Sequence, residues 1–330
     1  MAREDHLITV DRLAEELMSA APPVLLDVRW TLQQPDGSAD YAAGHVPGAH
    51  YVSLDEDLAD HSSDHGADGS DANGTAADPT AGRHPLPSPA TFEQTVRGWG
   101  IDAGTPVVVY DDNSGLGAAR AWWLLRWAGV GNVRLLDGGF GAWRAAGRPV
   151  STEAPEAPTP SAFDIAPGSL PVLDADAVTE RARSGIVLDA RAPERYRGET
   201  EPLDPQAGHI PGARNAPATD NTRDGFFLPE DELRAAYRAL GVLDGPDAEG
   251  RDSDGNDPAG DGPDGTGPDG TGSTGTGSGT PVGVYCGSGV TACHDAFVLS
   301  MLGVEAALFP PSWSGWSNDP DRPVAIGTED

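Results

Sequence analysis

Two things are scarce in this 330-residue chain: basic residues and cysteine. It has 21 basic against 52 acidic residues, a net charge of −31. So acidic a protein repels nucleic acid and anionic membranes, and neither is expected as a partner. Residues 61–82 and 244–280 together carry only −12, so about −19 remains on the rest, which is itself acidic. Two cysteines, Cys286 and Cys293, cannot form a disulfide framework, and they imply a reducing, cytoplasmic setting. At helical rise their spacing puts them ~10 Å apart, beyond the reach of a disulfide. Cys293 is therefore read as core. Met1–Leu17 is dotted with charge and has no long apolar run, so neither a signal peptide nor a membrane span is read there.

What the chain does have is centred on Val284-Tyr285-Cys286-Gly287-Ser288-Gly289-Val290-Thr291-Ala292. Pro281 to Tyr285 reads as a short buried strand, and Ala292 to Leu302 as a helix. The thiol of Cys286 therefore sits on a tight strand-to-helix turn. It faces backbone N–H groups at a helix N-terminus, which favour an anion. The thiolate is the nucleophilic form of cysteine. Gly287 and Gly289 permit positive φ and bring the backbone close to the sulfur. A buried structural cysteine beside a glycine turn is the bland alternative. Strand, glycine spacing and helix together favour a reactive thiol.

The rest of the chain is a duplication. Asp11 is expected to cap a helix to about Ala20. Strands follow at Val24–Val28 and Tyr51–Leu54, with Asp55 just after the second. A helix is expected at Thr91–Trp99, strands at Val107–Tyr110 and Val133–Leu136, and a helix through Trp122, Leu125 and Trp127 between them. Residues 151–168, rich in Pro, Ala, Ser and Thr, read as an extended linker. Then the pattern returns. Asp189-Ala190-Arg191 answers Asp27-Val28-Arg29. Ala207-Gly208-His209-Ile210-Pro211-Gly212-Ala213 answers residues 43–49 with one change, Ile for Val. Val282–Tyr285 answers Val107–Tyr110, and Trp313 and Trp316 answer Phe140 and Trp143. Residues 61–82 and 244–280 interrupt the two copies as acidic, Gly-rich insertions of disordered composition.

Alternating strands and helices predict an α/β fold in which each copy is a parallel sheet covered by helices on both faces. The expected boundaries are 1–150 and 169–330. Ligands in such sheets bind at the carboxyl ends of strands, where Cys286 lies. The first copy carries Asp111 at that position, so the site belongs to the second copy, with the first supplying one wall. His45 and His209 recur symmetrically, as do both Asp-x-Arg pairs, so both sets read as structural. No cofactor is implied. No metal site is read either. His61 and His65 lie in an insertion, and residues 252–257 miss the spacing of a calcium loop, with Asp257 at its sixth position and Pro263 at its twelfth.

The twin Asp-x-Arg, the twin Gly-His-[Val/Ile]-Pro-Gly-Ala and the Cys-Gly-Ser-Gly-Val-Thr loop resemble the tandem rhodanese-type sulfurtransferases. The loop is similar to that of the 3-mercaptopyruvate sulfurtransferases. The resemblance implies two rhodanese domains, an inactive N-terminal copy, and a persulfide on Cys286. It implies that Gly287, Gly289, Val290 and Thr291 shape the substrate loop and that Ser288 relays protons. Asp55 completes a Cys-Ser-Asp arrangement, or else caps a loop. Arg195 grips the substrate, and Arg120, near the site, is a further substrate-binding residue, or else forms a surface salt bridge. The donor is a small molecule, and the acceptor a thiol such as thioredoxin, or cyanide. A second substrate arginine is expected between Pro202 and Gly208, where the chain has none; Arg197 or another basic group would have to replace it. Pro310-Pro311 stand before Ser312-Trp313 where the family has Asp-Gly. Thiosulfate as donor and an idle binding module are the alternatives. A phosphatase of related fold would need Cys-x5-Arg, and Ala292 stands where that arginine would be.

Overall fold

The computed structural model describes residues 3–60, 78–243 and 280–328. The first half runs β1 (Leu7–Ile8), α1 (Val10–Leu17), β2 (Val24–Asp27), α2 (Ser38–Ala43), β3 (His50–Tyr51), α3 (Leu54–Asp57), α4 (Pro89–Gly98), β4 (Val107–Tyr110), α5 (Ala118–Trp127), β5 (Val133–Leu136) and α6 (Gly139–Ala145). The second runs α7 (Ala175–Ser184), β6 (Ile186–Asp189), α8 (Pro193–Tyr196), β7 (Ala213–Asn215), β8 (Thr222–Arg223), β9 (Phe226–Phe227), α9 (Glu230–Ala239), β10 (Val282–Tyr285), α10 (Ala292–Met301), β11 (Ala306–Leu308) and α11 (Ser312–Trp316).

Each half builds a parallel sheet, ordered β1-β5-β4-β2-β3 in the first and β11-β10-β6-β7 in the second. The second has a vestige of a fifth strand, since Val172 bridges Leu308 in parallel as Leu7 and Ile8 bridge β5. The central strands β4, β6 and β10 are buried along their whole length. Continuous apolar runs such as Val-Val-Val-Tyr are what sheets covered on both faces require.

The halves do not merely follow one another. One apolar core runs through both, from Leu26, Val107 and Trp122 to Leu188, Val284 and Phe297. Helices α5 and α10, which follow the equivalent loops of the two halves, pack together. Trp122 meets Phe297 edge-on at their junction, 5.0 Å between ring centroids. Burial of rings this size contributes roughly 1.5–3 kcal/mol each, so the seam is a part of the core.

Several expected boundaries move. Thr9 rather than Asp11 caps α1, its hydroxyl accepting from the Arg12 N–H, and Asp11 lies in the first turn. The strand expected at Tyr51–Leu54 ends at Tyr51; Ser53 then caps α3, which carries Asp55 in its first turn. Residues 152–168 carry no helix or strand, and this segment lies against the first half: Ser161 N–H donates to Arg97 O and Ala166 N–H to Ala128 O, with Phe163 buried between them. The insertion expected at 61–82 stops short of Gly82. Pro79–Ala81 forms a 3-10 turn capped by Asp78 and packs on α11. Residues 61–77, with His61 and His65, and 244–279, with the Asp-rich run, lie outside the described residues.

Candidate active site

Cys286 follows β10 directly and is 1% exposed. Its backbone is fixed at both ends: its N–H donates to Ser312 Oγ (3.1 Å), and its carbonyl accepts from Trp313 N–H (2.9 Å). Ser312 adopts φ +53, a left-handed conformation costly for a residue with a β-carbon. The matching position of the first half is Gly139, at φ +56. Ser312 adds the hydroxyl that holds the Cys286 N–H, a bond glycine could not make. Gly289 donates its N–H to Cys286 Sγ (3.2 Å). It alone of the two loop glycines has positive φ, +80, and a β-carbon there would lie 2.5 Å from Pro310 O. The expectation of positive φ at Gly287 is therefore corrected. Val290 packs on Trp30 and Leu54 of the first half, and Thr291 leads into α10. Cys293 is buried in that helix, its thiol donating to Gly289 O, and burial pushes its pKa up to about 12.

Ser288 stands two residues beyond Cys286 and is also buried. Its hydroxyl is 2.8 Å from Nδ1 of His84, a residue the sequence reading did not select. On the other side of the ring, Nε2 lies 3.2 Å from Asp55 Oδ1. The Asp55 carboxylate accepts from Nε2–H, which leaves Nδ1 to accept the Ser288 hydroxyl proton. Burial lowers the pKa of His84 below the usual histidine value, with the Asp55 hydrogen bond opposing. The ring is therefore neutral at pH 7, as this pattern requires. Asp55 reaches Ser288 only through His84, so the expected Cys-Ser-Asp arrangement becomes Cys-Ser-His-Asp.

The two arginines singled out from the sequence fare differently. Arg195 pairs with Glu201 (2.7 Å) and Asp204 (3.2 Å) and stands beside the loop, where a β-carbon on Gly287 would lie 3.3 Å from its Nη1. Arg120 is not on the substrate face, and the reading of it as a substrate contact is corrected. It is fully buried, and its donors go to backbone carbonyls: Leu58, His84 and Pro85 on one side, Gly289 on the other. A buried guanidinium is tolerable only when its N–H groups are so occupied. Its effect is to tie the segment carrying Asp55 and His84 to the loop carrying Cys286.

The first half has the equivalent loop, one residue longer, with the thiol gone. Asp111 follows β4 and is 1% exposed. Its carboxylate accepts from the N–H groups of Asn113, Gly115, Gly117 and Ala118 at 2.8–3.0 Å. The twin motifs are structural, as expected. Arg29 and Arg191 hold Asp27 and Asp189 and also donate to Gly44 O and Gly208 O. His45 stacks on Tyr41 and His209 on Tyr196, each bonded to that tyrosine's carbonyl. Among the described residues no group of three or more His, Cys, Asp or Glu is placed to hold a metal ion, and no helix is long and apolar enough to cross a membrane.

A family model for the Rhodanese-like domain matches residues 9–146 and again 174–319. The chain belongs to the rhodanese family. Two rhodanese domains in tandem account for the two parallel sheets. The chain is 42% identical to the putative thiosulfate sulfurtransferase SseB of Mycobacterium tuberculosis over 99% of both chains. It is 38% identical to the probable 3-mercaptopyruvate sulfurtransferase of Pseudomonas aeruginosa over 98% of both. The crystal structure of SseA from Escherichia coli, a 3-mercaptopyruvate sulfurtransferase, matches with a TM-score of 0.69 at 28% identity, over 93% of this chain and 98% of that one. These relatives are named for different sulfur donors, so the choice of donor has to be argued from the site.

Proposed function

We propose that this chain is a sulfurtransferase that moves sulfane sulfur from 3-mercaptopyruvate through a persulfide on Cys286. The acceptor would be a thiol such as thioredoxin, or cyanide, and a reducing cytoplasmic setting suits two unpaired thiols. The observation that carries the reading is the alignment Ser288–His84–Asp55 beside Cys286, on a loop with no charge at Gly287 or Ser288. Thiosulfate needs no proton when its sulfur leaves. An enolate does.

The thiolate of Cys286 attacks the sulfur of the donor. The carbon–sulfur bond breaks, and its electron pair forms the enolate of pyruvate. The proton that the donor thiol gives up passes by the Ser288 hydroxyl, with neutral His84 as its exchange partner, to the enolate carbon. This leaves Cys286–S–S⁻ and pyruvate. An acceptor thiolate then takes the outer sulfur and returns Cys286 as thiolate. Asp55 fixes the tautomer of His84 throughout. General acid–base help of this kind is worth roughly 10²–10⁴ in rate.

Thiosulfate is the second reading, favoured by the presence of two guanidiniums beside Gly287. The ratio of kcat/KM for 3-mercaptopyruvate over thiosulfate tests the choice. A ratio of ten or more supports the proposal, and a ratio below one overturns it.

A further inference from the structure

The cation that the second half lacks is supplied by the first. Residues 203–207 contain no arginine, and Arg197 is taken up by Glu199 in an exposed pair. All 21 basic residues of the chain are arginines, so a cation at the site must be a guanidinium. Arg83, next to His84 in sequence, fills the place. A β-carbon on Gly287 would lie 3.3 Å from Nη2 of Arg83 and 3.3 Å from Nη1 of Arg195. Two guanidinium edges from different halves thus meet over the residue that follows Cys286, close enough that a β-carbon there would crowd both. Neither of those two nitrogens bonds elsewhere among the described residues. Arg83 is held there by its backbone: its N–H donates to Ser314 Oγ (3.1 Å), while Ser314 N–H donates to Gly287 O (2.8 Å).

The opposite edges of the two guanidiniums share one acid. Asp204 pairs with Arg83 through one oxygen and with Arg195 through the other. Its side chain is 2% exposed, and Glu201 and Asp189, which pair with Arg195 and Arg191, are as deeply buried. Three arginines and three carboxylates leave this cluster neutral.

We propose that Arg83 and Arg195 form a two-guanidinium clamp for the carboxylate of a small 2-oxo acid bearing a thiol, with Asp204 as the counter-ion that sets their spacing. The clamp rests on the sulfurtransferase reading above and adds to it a substrate-binding residue from the first half. Two free guanidinium edges match one planar carboxylate. A compact dianion gains little from a cluster with no net charge, so Asp204 also disfavours thiosulfate.

The test uses Arg83→Gln, Arg83→Lys, Asp204→Asn and the double variant Arg83→Gln/Asp204→Asn in the full chain, with Tm as the check on folding. Two readouts are taken: steady-state kinetics with each donor, and protection of Cys286 from iodoacetamide by pyruvate. R83Q is expected to raise KM for 3-mercaptopyruvate ~10- to 100-fold, the size of a lost charge-assisted contact, with kcat little changed. R83K falls between. Pyruvate protects the wild type and protects R83Q at least ~10-fold less well, by the same arithmetic. D204N is expected to move the donor ratio toward thiosulfate by about tenfold, the worth of one neutralised contact charge. An unchanged KM and unchanged protection in R83Q overturn the clamp and leave the sulfurtransferase reading standing. Recovery of KM in the double variant also overturns it, because Arg83 would then serve only to occupy Asp204. If the wild type turns over thiosulfate alone, the donor reading fails, and Arg83-dependent pyruvate protection still upholds the clamp.

Discussion

His84 lies 2.8 Å from the hydroxyl of Ser288, across 204 residues of sequence and from the other half of the duplication. On the proposed mechanism, neither half therefore holds a complete set of reacting groups. Asp55→Asn gives a direct check. The Asp55 hydrogen bond raises the pKa of His84 against burial, so its loss lowers that pKa further. The acidic limb of the kcat profile, where His84 becomes protonated, is expected to move to lower pH. With the tautomer no longer fixed, kcat is expected to fall ~10²-fold. An acidic limb that stays in place, with kcat near wild type, would remove Asp55 and His84 from the mechanism.

Cys286→Ser should abolish transfer with Tm within a few degrees of wild type, because an oxygen cannot carry the transferred sulfur. Mass spectrometry of wild type after donor treatment should find one added sulfur on Cys286. Cys293 is fully buried with its pKa near 12, so it should stay unmodified; added sulfur there would reverse the assignment.

Arg120→Met separates positioning from substrate binding. The substitution leaves the carbonyls of Leu58 and His84 without their donor, while Pro85 O keeps the Asp60 N–H and Gly289 O keeps the Cys293 thiol. Buried unsatisfied groups cost roughly 1–3 kcal/mol each, so Tm should drop by several degrees and kcat with it. KM of the remaining folded protein should change little. A large rise in KM at unchanged Tm would return Arg120 to the substrate face.

Asp295, on α10, is buried with one oxygen bonded to Asn221 and Tyr237 and the other without a partner among the described residues. Burial raises its pKa from 3.8 to about 8. The folded protein therefore holds a proton that the unfolded chain releases near pH 4. The stability this brings is present in full below that pH and is lost as pH rises through 8. Asp295→Asn removes the titration, so the variant should gain on wild type between pH 6 and pH 9, by ~2 °C or more in Tm. Thermal melts across that range check it; curves that stay parallel would count against a protonated Asp295.

Much of this was legible in the sequence, and the exceptions share a cause. The repeated motifs fixed the duplication, and strands such as Val107–Tyr110 and Val282–Tyr285 fall where their apolar runs end. Leu7–Ile8 and Ala306–Leu308 were missed because two or three residues carry no periodicity. His84 and Arg83 were missed because they belong to neither repeated motif and stand at the end of a low-complexity run. Their importance comes from the seam, where a turn at Pro79–Ala81 lays them on the other half's loop. Arg120 was found but its face was not, since a helix residue aimed at a partner domain and one aimed at a substrate look alike in one sequence. The one signal for a second cation was the gap at residues 203–207, and it could not say which arginine fills it.

Asp111 gives the duplication a further use. From the β-carbon, a carboxylate oxygen is two bonds away, as is the outer sulfur of a persulfide. The four N–H groups that close on Asp111 therefore portray, in permanent form, a loop holding a charge at that distance. On the proposed persulfide mechanism, the first half is a cast of the loaded state, and the second is the mould that fills and empties. The two loops differ by one residue in length, Asp111 to Ala118 against Cys286 to Ala292, so the cast is held by four donors at once, whereas Sγ of Cys286 receives the Gly289 N–H alone among the described residues. A side chain gripped so completely cannot leave, and a sulfur carrier has to let go.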